Sequence, residues 1–209
     1  IRITLDHPEV FLVQVRAMLR ASEGLDNLQI MLPMITSLTE VTEATALIER
    51  AYHELCQEGL SIKRPAIGVM IEVPGAIYQV TQIARYVDFL SVGSNDLTQY
   101  LLAVDRNNPR VAGLYSSFHP AVLNALYSIA QSVKHTDCRL SLCGELAGDA
   151  RGAILLMAMG YDSLSMNAVN LPRVKSAIRS LHRRDAVQLL DLVLNLESSE
   201  QVLEQIGIT

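Results

Sequence analysis

Residues 66–72 read AIGVMIE and residues 89–94 read FLSVGS, each a short apolar run that ends on a polar residue. Runs of this length, rich in Val and Ile and bounded by turn residues, predict buried strands. Working outward, Leu28–Met34 (LQIMLPM) reads as an earlier strand closed by Pro33, Leu140–Gly144 (LSLCG) as a later one, and Ser163–Met166 as a weaker fifth. Between them the apolar period changes. Val41, Ala44, Ile48, Tyr52 and Leu55 fall at helical spacing within Thr36–Gly59, with Gly59 as the expected C-cap. Pro74 suits a helix start, and Val122, Leu126, Ile129 and Val133 mark a further helix. From Pro172 onward the pattern is helical only. The opening residues, from Ile1, look strand-like, as in a piece cut from a longer chain. Apolar strands alternating with helices predict an α/β fold whose parallel sheet is covered on both faces.

Periodicity does not separate an open doubly wound sheet from a barrel, but the polar residues help. Glu72, Asn95–Asp96 and Cys143 each stand where a strand is expected to end. Ligands gather at the carboxyl ends of strands in both architectures. Several strands delivering reactive groups to one edge favour a barrel rim. No repeat, low-complexity stretch or flexible linker divides residues 1–209, so one domain is expected.

Composition narrows the function. Half of the 209 residues are apolar and the formal net charge is −5. An acidic chain without a Lys/Arg cluster argues against nucleic acid or an anionic membrane as partner. The basic stretch Arg179–Arg184 is short and reads as a solvated helix end. No apolar run reaches the ~20 residues a membrane span needs. Cys56, Cys138 and Cys143 have no framework spacing, which suits a reduced, cytoplasmic setting.

Each candidate residue has a plain alternative. A buried, unpaired Glu72 would be costly, so it either meets a cation or is exposed at the rim, and its plain alternative is an N-cap or ion-pair residue. Two carboxylates from different strands, Glu72 and Asp96, suit a hard cation such as Mg²⁺, although Asp96 would equally start a turn. Arg106 suits an anionic substrate through its forked guanidinium, or pairs with neighbouring Asp105 on the surface. Cys143 is a nucleophile or proton donor if it faces a site, and core if it does not. His7, His53, His119, His135 and His182 show no metal-ligand spacing, and Met157 and Met159 read as packing.

Together, IGVMIEVPGA (67–76), VDFLSVGSNDLTQYLLAVDRNN (87–108) and LCGELAGD (142–149) resemble the consecutive signatures of phosphoenolpyruvate-utilising enzymes. QIMLPMITSLTEV (29–41) and YDSLSMN (161–167) extend the resemblance to about Leu181. It implies the phosphoenolpyruvate-binding domain of a phosphoenolpyruvate–protein phosphotransferase, the Enzyme I type of the bacterial phosphotransferase system. The implied fold is a (β/α)8 TIM-type barrel, here N-terminally truncated. Glu72 and Asp96 match the family's Mg²⁺ ligands, and Asn95 and Arg106 match phosphate-binding residues. Cys143 matches the thiol that protonates enolpyruvate, so that it leaves as pyruvate.

The same resemblance implies a cytoplasmic, homodimeric transferase and phosphoprotein. The phosphoryl group passes to a histidine on a separate domain and then to a small phosphocarrier protein. That histidine's motif is missing, and two further substrate arginines would lie before Ile1, so this chain alone is expected not to complete phosphotransfer. The opening IRITLDHPEVFLVQVRAMLRAS with AVDRNN looks most like the nitrogen-related branch, whose members carry an upstream GAF domain. The rival expectations are a Mg²⁺-dependent lyase acting on a pyruvate-like substrate on the same barrel, and a non-catalytic dimerisation or regulatory module.

Overall fold

A computed structural model describes residues 1–207. The chain opens with helices α1 (Arg2–Asp6) and α2 (Pro8–Ala21), followed by strand β1 (Gln29–Leu32) and helix α3 (Leu38–Gln57). Strand β2 (Ala66–Ile71) leads into short helices α4 (Pro74–Ile77) and α5 (Val80–Ile83). Strand β3 (Phe89–Gly93) runs directly into α6 (Ser94–Leu101), and a long loop leads to α7 (Pro120–Val133). Strand β4 (Arg139–Cys143) precedes α8 (Glu145–Gly148) and α9 (Ala150–Met159). Strand β5 (Ser163–Ser165) is followed by α10 (Leu171–Ser180), α11 (Arg183–Val193) and α12 (Ser199–Gly207).

The opening residues are helical, not strand-like. Pro8 occupies the first turn of α2, and Phe11, Val15 and Leu19 recur every four residues as its buried face. The Ile/Thr/Leu alternation that resembles a strand in residues 1–6 buries none of its residues. In α3, Ser37 and Glu40 form a reciprocal capping box, and Val41, Ala44, Ile48, Ala51 and Leu55 are buried.

The five strands form one sheet in the order β1-β2-β3-β4-β5, every neighbouring pair parallel. This order decides the architecture. A doubly wound sheet must reverse its strand order at a switch point, and this one never does. Right-handed crossovers that always advance one strand in the same direction place every helix on one side, which is the arc of a barrel.

The expectation of a sheet covered on both faces is therefore corrected. Ile30, Leu32, Ile67, Val69, Ile71, Leu90, Val92, Leu140 and Leu142 point outward and are at most 5% exposed. The alternate residues point inward, where Gln29, Met31, Phe89, Ser91, Arg139, Ser141, Cys143, Ser163 and Ser165 line a concave cavity of about 480 Å³. Phe89 partly fills this hollow, its ring lying where a side chain at Gly68 would stand.

Two aspartates set the register at the amino ends of the strands. Asp88, just before β3, accepts the Ile67 amide at 2.8 Å, and its own amide donates to the Ile67 carbonyl at 2.8 Å. Asp162, just before β5, repeats the pattern on Leu140 at 2.8 and 2.9 Å. Each clamp satisfies a backbone N–H at the start of a buried strand that the ladder leaves open. The C-terminal helices add to the same core through Leu189, Leu190, Val193, Val202 and Ile206. Arg179, Arg183 and Arg184 are exposed, as a solvated helix end requires.

Candidate active site at the carboxyl rim

Parallel strands all end on the same rim, so Glu72, Ser94–Asp96 and Cys143 come together because β2, β3 and β4 are consecutive neighbours. Glu72 follows the last residue of β2 and is 3% exposed. One carboxylate oxygen accepts the Met34 amide at 2.7 Å. Met34 lies beyond β1 with φ +54, a conformation an L-residue adopts at some cost, and this turn aims its N–H across at Glu72. Glu72 is thus not exposed at the rim, and it is neither an N-cap nor an ion-pair residue. Burial pushes its carboxyl above the usual range, the Met34 bond opposes the shift, and the nearby Asp96 charge adds to it.

Asn95 and Asp96 occupy the first turn of α6, not a turn beyond the strand. Asp96 faces Arg106, with Nη2 and Oδ1 3.8 Å apart. The surface pair between Arg106 and Asp105 does not form; Asp105 accepts the Asn107 amide instead, at 2.9 Å. The Arg106 amide donates to the Gln99 side chain at 3.2 Å, so α6 holds the loop that carries it. The Asn95 carbonyl oxygen accepts the Glu145 amide at 3.1 Å. That bond fixes the orientation of the carboxamide and leaves its NH₂ as a donor toward the rim.

Cys143 ends β4 and pairs with Gly93 in the ladder. Its inward position, half-buried at the edge of the cavity, excludes the core reading. Its carbonyl accepts the Ser94 hydroxyl at 3.0 Å. Gly144 follows with φ +134, and a Cβ there would run into the Ser94 hydroxyl and the Asn95 carboxamide. Cys143, Gly144, Glu145, Asn95, Ser165, Asn167 and Asn170 enclose a further hollow of about 310 Å³ on the thiol's side of the rim.

Sequence reasoning missed Ser94 and Gly144. Their signals were available: a hydroxyl immediately before Asn95 at a strand end, and a glycine immediately after the cysteine. Cys138 lies in the connection to β4, where burial, with help from Asp88 and Asp162, raises its thiol to about 11. It stays protonated at neutral pH and is a slow nucleophile. His119 caps α7 by accepting the Ala121 amide at 3.1 Å, a structural role. Among the described residues, no group of three or more His, Cys, Asp or Glu gathers as a metal cluster.

Residues 1–183 match the family described as PEP-utilising enzyme, PEP-binding domain, where PEP is phosphoenolpyruvate. The chain belongs to this family. As a PEP-binding domain, it is 50% identical over 99% of its length to the phosphoenolpyruvate-dependent phosphotransferase system protein of Salmonella typhimurium, covering 28% of that relative. It is 42% identical over 97% of its length to the phosphoenolpyruvate-protein phosphotransferase of Haemophilus influenzae, covering 35% of it. The PEP-binding domain thus spans about a third of the curated relatives it matches.

Among solved structures, a citrate lyase from Burkholderia xenovorans superposes with a TM-score of 0.59 at 18% identity, over 94% of this chain and 66% of that one. A malate synthase from Haloferax volcanii gives 0.59 at 16% identity, over 85% of this chain and 53% of its own. At such identity the likeness speaks for the barrel-type fold and not for lyase chemistry. The family match favours a PEP-binding domain over the lyase alternative.

Proposed function

We propose that this domain binds phosphoenolpyruvate for a phosphoenolpyruvate–protein phosphotransferase. Its phosphoryl group would pass to a histidine on a separate domain and then to a phosphocarrier protein, releasing pyruvate. The observation that carries the reading is the convergence of Glu72, Asp96, Arg106, Asn95 and Cys143 on one rim, an acid–base and anion-binding set with a free thiol at one end. The resemblance of the opening residues and of AVDRNN supports the nitrogen-related branch, while the family resemblance as a whole supports a cytoplasmic setting and a dimer.

The donor set fits Mg²⁺. The Asp96 charge raises the Glu72 carboxyl across the rim, and Arg106 is the nearby cation at 3.8 Å from Asp96. Two carboxylates without His or Cys partners suit a hard ion that keeps waters and takes substrate phosphate oxygens. Bound there by Glu72 and Asp96, Mg²⁺ would neutralise charge on the transferring phosphoryl group.

The chain's own groups supply the remainder. Arg106 and the Asn95 NH₂ orient the phosphate for in-line transfer. As the P–O bond breaks, the phosphoryl group leaves for the acceptor nitrogen. The enolate oxygen's electrons form the carbonyl, and the methylene carbon takes the Cys143 proton, giving pyruvate and a thiolate that solvent reprotonates. The decisive experiment assays pyruvate release by the complete protein with Cys143→Ala. Loss of release by about a hundredfold or more supports a general acid. Full retention would return the lyase-type reading.

A further inference from the structure

We propose that Ser94 is a positioning residue for the Cys143 thiol; the inference deepens the proposed function and rests on it only for its kinetic consequence. The Ser94 side chain is 1% exposed, and its hydroxyl donates to the Cys143 carbonyl at 3.0 Å. Its neighbour Asn95 accepts the Glu145 amide at 3.1 Å. These two side chains, adjacent in the first turn of α6, grip the backbone on either side of Gly144. The grip continues the β3–β4 ladder past its last pair, Gly93↔Cys143, where strand hydrogen bonding ends. A hydroxyl donor is needed there because the Cys143 carbonyl would otherwise turn with the peptide at the open end of the strand.

Gly144 completes the device. At φ +134 it turns the chain sharply from β4 toward α8, and the space a Cβ would need is taken by Ser94 and Asn95. With the peptide on its C-terminal side held, the Cys143 Cα–Cβ vector has little freedom, and the thiol is kept at the border of the two rim hollows it lines. Protonation of a carbon needs such restraint. Carbon acids have no hydrogen bond to guide the proton, so the donor's placement carries the geometry of the step. The same helix turn supplies Asp96 and Asn95 to the phosphate end, so Ser94 ties the position of the proton donor to that of the phosphate ligands.

Two readouts test this. In the first, the present chain and its Ser94→Ala and Ser94→Thr variants are alkylated with iodoacetamide, and the rate at each cysteine is followed by peptide mass mapping. Ser94→Ala changes the Cys143 rate severalfold while Cys56 and Cys138 keep theirs, and Ser94→Thr, which retains the hydroxyl, restores the original rate. An unchanged Cys143 rate in Ser94→Ala overturns the proposal, and so does a parallel rise at all three cysteines, which marks general loosening. In the second, pyruvate formation by the complete protein shows Ser94→Ala lowering kcat with KM for phosphoenolpyruvate little changed, and Ser94→Thr recovering it. If Cys143→Ala is inactive and Ser94→Ala is unimpaired, the positioning role fails and the functional reading stands. If Cys143→Ala stays active, the functional reading itself fails.

Discussion

Removing Asp88 isolates the contribution of one register clamp. Its carboxylate accepts the amide of Ile67, a residue 1% exposed, at 2.8 Å. A buried donor left without a partner costs about 1–3 kcal/mol. The Asp88 side chain is itself 51% exposed, so water reaches the vacated position in Asp88→Ala and holds the cost near the lower end, about 1 kcal/mol. Its ion pair with Arg64, at 3.7 Å on the surface, adds at most about 0.5 kcal/mol. With a urea slope of about 2 kcal/mol per molar, the unfolding midpoint of Asp88→Ala falls by about 0.5–0.75 M at constant slope.

Asp162→Ala should behave alike, since it holds Leu140 by the same bond at 2.8 Å. The double variant should lose the sum, because the two clamps bind different strand pairs. Asp88→Asn keeps the acceptor oxygen and removes only the charge, so it should stay close to the parent. An asparagine variant as destabilised as the alanine one would refute the hydrogen-bond account and assign the effect to charge.

Three further outcomes follow from the rim and its supports. Gly144→Ala, forced to φ +134 against Ser94 and Asn95, should lose about 1–3 kcal/mol by urea titration. At Asp149, burial raises the carboxyl, but bonds from Arg151 and Gly152 outweigh it and leave it below its ordinary value. Its folded value being depressed, Asp149 adds stability above its unfolded pKa of about 3.9, lost as pH falls through the lower folded value. Asp149→Asn should lessen the fall of the urea midpoint as pH drops below about 4. Glu72, raised chiefly by burial, has the opposite sign: its destabilising effect grows as pH rises through the unfolded value of about 4.3 and levels off above the folded one. Glu72→Gln should therefore match or exceed the parent's thermal stability at neutral pH while losing the stabilisation that Mg²⁺ and phosphoenolpyruvate give together, a pairing that differential scanning calorimetry with and without the two ligands resolves.

The strands from β2 to β4 were legible because their apolar runs end on the residues that later meet at the rim. Their two faces were less so. FLSVG and RLSLC alternate, with Ser91, Gly93, Ser141 and Cys143 on one side, yet the density of Leu and Val obscures that period and suggests a sheet covered on both faces. Residues 1–6 misled because β-branched residues occur in a short surface helix that buries nothing. Residue type and strand-end position made Glu72 and Asp96 candidates beside plain alternatives, whereas Arg106, in a loop ten residues beyond Asp96, was singled out by the family resemblance. The contacts at the rim were not legible: Met34 reaches Glu72 from 38 residues away, and Ser94 reaches Cys143 from 49. Such contacts arise from adjacency of parallel strands, which local pattern does not encode.

The central claim is that this rim binds phosphoenolpyruvate with a divalent ion. It is tested most directly by thermal unfolding of the chain extended upstream to a complete barrel, with Mg²⁺ and phosphoenolpyruvate added singly and together. An intact site predicts stabilisation only when both are present, about 2.7 kcal/mol at a hundredfold excess over Kd, and its loss in Arg106→Ala. No stabilisation in the parent protein, or an equal one in Arg106→Ala, would contradict the claim and leave the rim residues as inherited scaffold.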